Sequence, residues 1–389
     1  MSPDTVQMDS RLADEAYQDR VLPGVSRTFA LTIPQLPPAL RTAVTSAYLL
    51  CRIADTIEDE PALSPQATLG LLQRFVAVVS GSADPQALAK DLAPQLSERT
   101  LPTERDLILN MARVIRVTRG LGEPQRFAIE RCIEVMCSGM HQFQQTASLR
   151  GLPRLSDLDD YCYYVAGVVG QMLTELFCGY CPRIRQQHGP LLEVAVSFAQ
   201  GLQMTNILKD IWEDRSRGAC WLPQEVFTRH GVDLAQLSLE RIDGRFAAGM
   251  DELVAIAHAH LRNALAFTLL IPAEETGVRR FCLWAIGLAV LTLRRIHLTP
   301  GFTCGAQVKV SHSAVAMTRL LTNFAVRNDR LLRRLFDWAA RGLPLASPAR
   351  VPQAVRPALQ VAEPAPQFRA EMRDAPLERA ARTEGRSAR

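Results

Sequence analysis

An all-α fold is what this sequence predicts, and three observations predict it. Apolar residues recur at helical spacing from Pro38 to about Gly342, Pro and Gly clusters punctuate them, and alternating β-branched runs are scarce. The first element, "LPPALRTAVTSAYLLCRIADTIEDEP", opens after Pro37-Pro38 and closes at Pro61. The second, "SPQATLGLLQRFVAVVSG", places Ser64 before a first-turn Pro65 and stops at Gly81. The same signals predict helices over 104–119, 124–148, 156–180, 190–215, 241–270, 274–297 and 312–341. One helical domain over 20–342 follows, preceded by a polar segment, 1–19. It is trailed by 343–389, a Pro-, Ala- and Arg-rich stretch without an apolar face, expected to be disordered.

Composition narrows the function classes. With 389 residues, 48% hydrophobic and 22% charged, the chain can bury a large core. A net charge of +4 from 44 basic and 40 acidic residues, with several arginines in the tail, gives no nucleic-acid footprint. The first twenty residues hold no apolar h-region, so a cytoplasmic location is expected. Nine cysteines, most of them in apolar helical stretches, suit reduced buried thiols. Cys178 and Cys181 form a CxxC with no second pair to complete a zinc site, so packing is the expectation there. "FCLWAIGLAVLTL" (281–293) is short for a membrane span and flanked by arginines, and reads as a core helix beside an apolar cavity.

Two acidic clusters carry the chemistry. Asp55 and Asp59, with Glu58 beside them, end an apolar helix four residues apart, and Asp210 and Asp214, with Glu213 between, repeat the pattern. Like charges at that spacing repel by about 0.2–0.5 kcal/mol per pair in water and by more in a dry site, so a cation is the natural resolution. Asn206 extends the second stripe and Gln203 lies a turn before it; neither cluster offers histidine or thiolate. That oxygen-rich donor set suits Mg²⁺, which needs only one or two protein carboxylates alongside water and phosphate oxygens. Arg52 and Lys209 place positive charge next to each pair, as a diphosphate site requires. One such cluster alone is commonly a solvated helix face; two, each at the end of an apolar helix, point to a site. Between them, "DYCYYVAGVVGQMLTELFCGY" sets Tyr161 and Tyr164 a turn apart, with Gly167 and Gly170 following. Close helix packing and a helix opened to line a cavity both account for those glycines.

These residues resemble the squalene and phytoene synthase family, whose members join two prenyl diphosphates head to head. The resemblance is carried by "SRTFALTIPQLPPALRTAVTSAYLLCRIADTIED" (Ser26–Asp59), "YCYYVAGVVG" (Tyr161–Gly170) and "QMTNILKDIWEDRSRGACWLPQEV" (Gln203–Val226), and spans about residues 20–320. It implies a single-domain isoprenoid-synthase helical fold around a central apolar cavity, with two farnesyl diphosphates as substrate. It also implies that Asp55, Asp59, Asp210 and Asp214 hold Mg²⁺ with Asn206 beside them. Ser26, Arg27, Arg52 and Asn206 would contact diphosphate, with Gln203 and Tyr164 in the substrate-binding set. Tyr161 would assist proton removal, and Phe29, Tyr48 and Phe281 would line the pocket.

"WLPQEV" and the segment "FCLWAIGLAVLTLRRI…GAQVKVSHSAVAMT" resemble the squalene-forming branch, which implies NADPH and a role in sterol or hopanoid biosynthesis. The chain departs from that branch where the reductive half is served: Ala219 stands where an Arg is usual, and Ser311 and His312 where basic residues are usual. Arg217 and Lys309 are the expected substitutes in nucleotide binding. No G-x-G-x-x-G follows a strand, so no Rossmann unit supplies the cofactor site. A cofactor-free synthase ending at presqualene diphosphate, dehydrosqualene or phytoene is the alternative, and a noncatalytic assembly factor of the same fold is a third. A monomer is expected, with peripheral membrane contact for release of an apolar product.

Overall fold

The computed structural model describes residues 3–346, and among them helices account for all regular structure. The only pairing of extended backbone among those residues is one isolated bridge, Leu152 with Pro223. In order the helices are α1 (Pro3–Val25), α2 (Phe29–Thr32), α3 (Pro38–Glu58), α4 (Pro65–Val79), α5 (Pro85–Leu92) and α6 (Pro102–Leu109). There follow α7 (Met111–Arg119), α8 (Glu123–Gln144), α9 (Leu155–Cys162), α10 (Val168–Tyr180), α11 (Pro182–Arg185) and α12 (His188–Lys209). The last six are α13 (Ile211–Ser216), α14 (Gln224–Arg229), α15 (Gly244–Leu270), α16 (Thr276–Leu298), α17 (His312–Ala325) and α18 (Asp329–Ala339).

Local chemistry sets many of the starts. Ser64 Oγ accepts the Ala67 amide at 3.2 Å before α4, and Asp84 accepts the Gln86 and Ala87 amides before α5. Proline occupies the first turn of both helices. α12 is the central column, packed against α10, α15 and α16, while α3 and α8 close the other side. Gly170 makes the α10–α12 contact as tight as it is, since a Cβ there would stand 2.1 Å from the Ala195 carbonyl oxygen. Close packing therefore explains that glycine. The helix also opens just before it: Tyr163–Gly167 form one π turn between α9 and α10.

Several expectations need correction. The boundary at 19/20 falls inside α1, which packs on α3 and α7 through Tyr17, Val21, Leu22 and Val25. Those apolar residues at helical spacing were masked by charge, and the charge is itself used: the buried Asp14 pairs with Arg116 at 2.7 Å. α5 was not foreseen. The 104–119 helix breaks at Asn110, 190–215 at Asp210, and 312–341 between Ala325 and Asp329. Helix 124–148 stops at Gln144. Of the expected tail, Leu343 is buried and the Ala346 amide donates to the Ala255 carbonyl at 3.2 Å. From residue 347 onward that expectation lies outside the described residues.

The nine cysteines are free thiols, seven of them buried, Cys178 and Cys181 included. α15 and α16 are long and apolar enough to cross a membrane, yet 67% and 61% of their most apolar windows are buried within the fold.

Candidate active site

The C-terminal end of α3 carries Arg52, Asp55, Glu58 and Asp59, and the junction of α12 with α13 carries Asn206, Asp210 and Asp214. Asp210 is itself the junction: the Asp214 amide donates to its carbonyl at 2.9 Å, so the four-residue spacing survives the break. Both acidic clusters line one polar cleft of about 630 Å³, together with Tyr161 and Gln203. A single guanidinium joins them, Arg217 reaching Asp59 at 2.9 Å and Asp214 at 2.5 Å. Arg52 lies 3.6 Å from Asp55 and is held from behind by Glu104, while Lys209 pairs with Asp210 at 3.0 Å.

Crowding and burial push these acids up. Asp55 and Asp214 each rise to about 6, chiefly from desolvation, with neighbouring carboxylates adding to it and Arg52 or Arg217 opposing it. Asp210 and Glu58 shift the same way from the same first cause. Glu58 Oε1 is buried with no hydrogen-bond partner. An excess of acceptor oxygens with too few donors is the signature of a place where a cation or ordered water belongs. Among the described residues no three His, Cys, Asp or Glu side chains converge to hold a metal unaided. A Mg²⁺ ion held by one or two carboxylates, water and a ligand's oxygens needs no such cage.

The polar cleft continues into an apolar channel of about 240 Å³. Arg52, Asp55, Val165, Gln203 and Asn206 line both. Val165 sits in the π turn, so the opened helix forms part of the junction. Phe29, Tyr48 and Phe281 line the channel, with ring centroids 5.1 Å apart for Phe29–Tyr48 and 6.3 Å for Phe29–Phe281. Burial raises Tyr48 to about 12 and holds Tyr161 well above the ordinary phenol range, so both remain neutral.

Four expected site residues lie elsewhere. Ser26 Oγ accepts the Phe29 amide at 2.9 Å and sits beside the channel-lining Tyr48, but lines neither cavity itself. Arg27 is exposed and lines neither cavity. Tyr164 turns onto α8, where it covers Gly139 and meets Phe143. Lys309 is exposed at the end of the short turn Gly305–Val308. Arg217, expected near a nucleotide, is instead the bridge between the acidic clusters.

Other residues were missed. Trp221 stacks on Tyr161 at 4.1 Å and 8°, and Phe143 meets the same ring edge-on at 5.3 Å. Arg99 lines the cleft from the loop before α6. Glu213 lines the cleft and accepts the Gly305 amide at 2.9 Å, and Trp212 Nε1 donates to the Phe302 carbonyl at 2.8 Å. These two bonds seat the 302–308 segment against the second cluster. Trp221 was visible in the sequence as the aromatic beside "LPQEV"; the Glu213 contact had no local signal.

Fold and site together define a class: all-helical proteins in which two acidic clusters face each other at the mouth of an apolar channel. The chain belongs to the squalene/phytoene synthase family, whose sequence model matches residues 22–314. It is 29% identical to the squalene synthase of Eremothecium gossypii over 279 residues, which cover 70% of this chain and 60% of that protein. To squalene synthase ERG9 of Candida albicans it is 28% identical over 324 residues, 79% of this chain and 65% of that one. The chain thus spans less than two thirds of the length of these curated relatives. Its fold is also that of TcSQS bound to the ligand E5700, with a TM-score of 0.68 and 23% identity over 87% of this chain and 94% of that chain.

Proposed function

We propose that the chain is a squalene synthase: it condenses two farnesyl diphosphates head to head into presqualene diphosphate, which loses its diphosphate and takes a hydride from NADPH to give squalene. One observation carries the reading. Two acidic clusters, tied by Arg217, stand at the polar mouth of a channel walled by Phe29, Tyr48 and Phe281. A diphosphate needs the first part and a farnesyl chain the second.

The carboxylates of Asp55, Asp59, Asp210 and Asp214 fit Mg²⁺, which when bound supplies Lewis-acid charge neutralisation to a departing diphosphate. Arg52 and Lys209, each beside an acid, would present cationic groups to the same oxygens. Diphosphate loss leaves an allylic cation, which the second farnesyl double bond attacks; loss of a proton then closes the cyclopropane. The neutral Tyr161 hydroxyl would relay that proton, taking it as it passes its own to the released diphosphate, and the Trp221 and Phe143 rings hold it in place. The aromatic channel keeps water from the cation, which would otherwise be captured as an alcohol.

The expected nucleotide contacts fit less well. Arg217 is engaged by two carboxylates and the exposed Lys309 lines neither cavity, so the two do not converge on a nucleotide site. The departures at Ala219, Ser311 and His312 favour a second reading, a synthase that stops before reduction. Mass spectrometry of products from farnesyl diphosphate and Mg²⁺, with and without NADPH, tests both. Squalene formed only with NADPH supports the first reading; presqualene diphosphate, dehydrosqualene or hydroxysqualene in both tubes supports the second. No condensation product in either tube rejects the two together.

A further inference from the structure

α17 is an apolar helix that the fold leaves almost bare: of its 14 residues only Ala325 is buried. Met317, Leu320 and Phe324 are 50%, 64% and 83% exposed, and their spacing places them along one side of the helix. Trp338 of α18 is 60% exposed beside them. Between α16, α17 and α18 runs an apolar crevice of about 160 Å³, rimmed by Met317, Leu321 and Trp338 and floored by Ile286 and Val290. A continuous exposed apolar patch of this kind marks an interaction surface.

The charge around it is of one sign. No acidic residue occurs between Glu275 and Asp329, while Arg295, Lys309, Arg319 and Arg327 are exposed there. α18 adds exposed Arg330, Arg333 and Arg334, and its two acids are already matched, Asp329 by Arg279 at 2.7 Å and Asp337 by Arg262 at 3.7 Å. Arg319 lies 4.7 Å over the Trp284 ring, which keeps its charge at the edge of the apolar stripe.

We propose that this face, built by α17, α18 and the C-terminal end of α16, docks onto an anionic lipid bilayer. Phe324, Leu320, Met317 and Trp338 enter the acyl boundary while the arginines meet lipid phosphates, the arrangement by which an amphipathic helix lies in a membrane interface. A second copy of the chain would bring like charge against like. The chain beyond Ala346 has more arginines than acids, so it does not supply the missing negative charge either. α16 gives the docking a purpose: Phe281 and Ala285 line the reaction channel, and Ile286 and Val290 line the crevice on its other side. One helix separates lipid from channel.

The docking does not depend on the reaction proposed above, and its test is separate. Flotation of the full chain with vesicles of phosphatidylcholine alone, or of phosphatidylcholine with phosphatidylglycerol, reads binding directly. The protein is expected to float with the anionic vesicles and to be released by salt. The double variant Leu320→Ser, Phe324→Ser should lose about tenfold or more in partitioning, and Arg319→Gln about fivefold. Helix content and turnover of dispersed substrate should stay unchanged in both, since these side chains touch neither cavity. A wild-type chain that stays at the bottom of the gradient overturns the proposal, as does flotation that the double variant retains. Self-association in sedimentation velocity that the double variant abolishes would instead assign the face to a second copy.

Discussion

Asp59 and Asp214 come from distant parts of the chain and share one guanidinium, Arg217, at 2.9 and 2.5 Å. Replacing it with a neutral amide leaves two carboxylates facing each other across the cleft. Arg217→Gln should therefore melt lower than wild type without divalent ions, and gain more on adding MgCl₂ than wild type does; equal gains in thermal melts would discount the bridge. Asp55→Asn and Asp210→Asn should each cost about 10²–10³ in turnover with circular dichroism unchanged. Near-normal rates in either would remove the metal-clamp argument. Tyr161→Phe keeps the ring stacked on Trp221 and deletes only the hydroxyl, so a loss of about 10² or more in product formation isolates proton transfer from ring contact. At this scale the sequence was informative about types and spacing: repeated Asp pairs with adjoining cations are a local pattern. It put Arg217 at a nucleotide and not between the clusters, because its two partners are brought together only by the fold.

At the scale of elements, breaks in helices are where prediction from periodicity stopped. A stretch such as 190–215 keeps its apolar spacing across Asp210, so nothing in the pattern signals that the helix ends and restarts there. The π turn at Tyr163–Gly167 is hidden for the same reason, although glycines beside tyrosines hinted at it. α1 was overlooked because charged residues are interspersed among its few buried apolar ones. The turn at Gly305–Val308 is a contact between elements, and Gly305 is its tight point. A Cβ there would stand 3.0 Å from Asp210 Oδ1 and 3.2 Å from Glu213 Oε1. Gly305→Ala should push this turn off the second acidic cluster and weaken Mg²⁺ binding measured by calorimetry, with the rest of the fold intact. Unaltered Mg²⁺ affinity would show that the turn does not support the site.

For the molecule as a whole, the buried acids set a pH dependence. Asp55 and Asp214 rise to about 6, and Asp159, on the other side of α9, rises to about 7 because it is only 9% exposed and neither carboxylate oxygen has a partner. A raised folded-state value means the folded chain holds protons that the unfolded chain releases above about 4. The stability these groups contribute is thus complete below about pH 4 and lost as pH rises through 6 to 7. Glu60, despite its own burial, and the exposed Asp243 and Glu274 are lowered by the donors around them, and burial lowers His258 and, to about 4, His260; these groups oppose the trend. Without divalent ions, denaturation midpoints should fall between about pH 4 and pH 8. Asp159→Asn should recover on the order of 1–4 kcal/mol at the upper end and almost none at the lower. A flat profile, or an Asn variant that gains equally at both pH values, would contradict the burial argument.

The π turn makes the site dependent on chain length as well as on residue identity. It accommodates one residue more than a regular turn between α9, which carries Tyr161, and α10, which is locked against α12 by Gly170. Deleting a single residue from Tyr163–Gly167 would allow an uninterrupted α-helix, a locally easier structure. Because the π turn absorbs its extra residue within one turn, α9 and α10 would keep their relative facing, and Tyr161, Trp221 and every acidic residue would stay in place. What would change is the turn itself, whose Val165 lines the junction of cleft and channel. An in-frame loss of one codon here should thus narrow the passage from cleft to channel while sparing both metal binding and the Tyr161 ring.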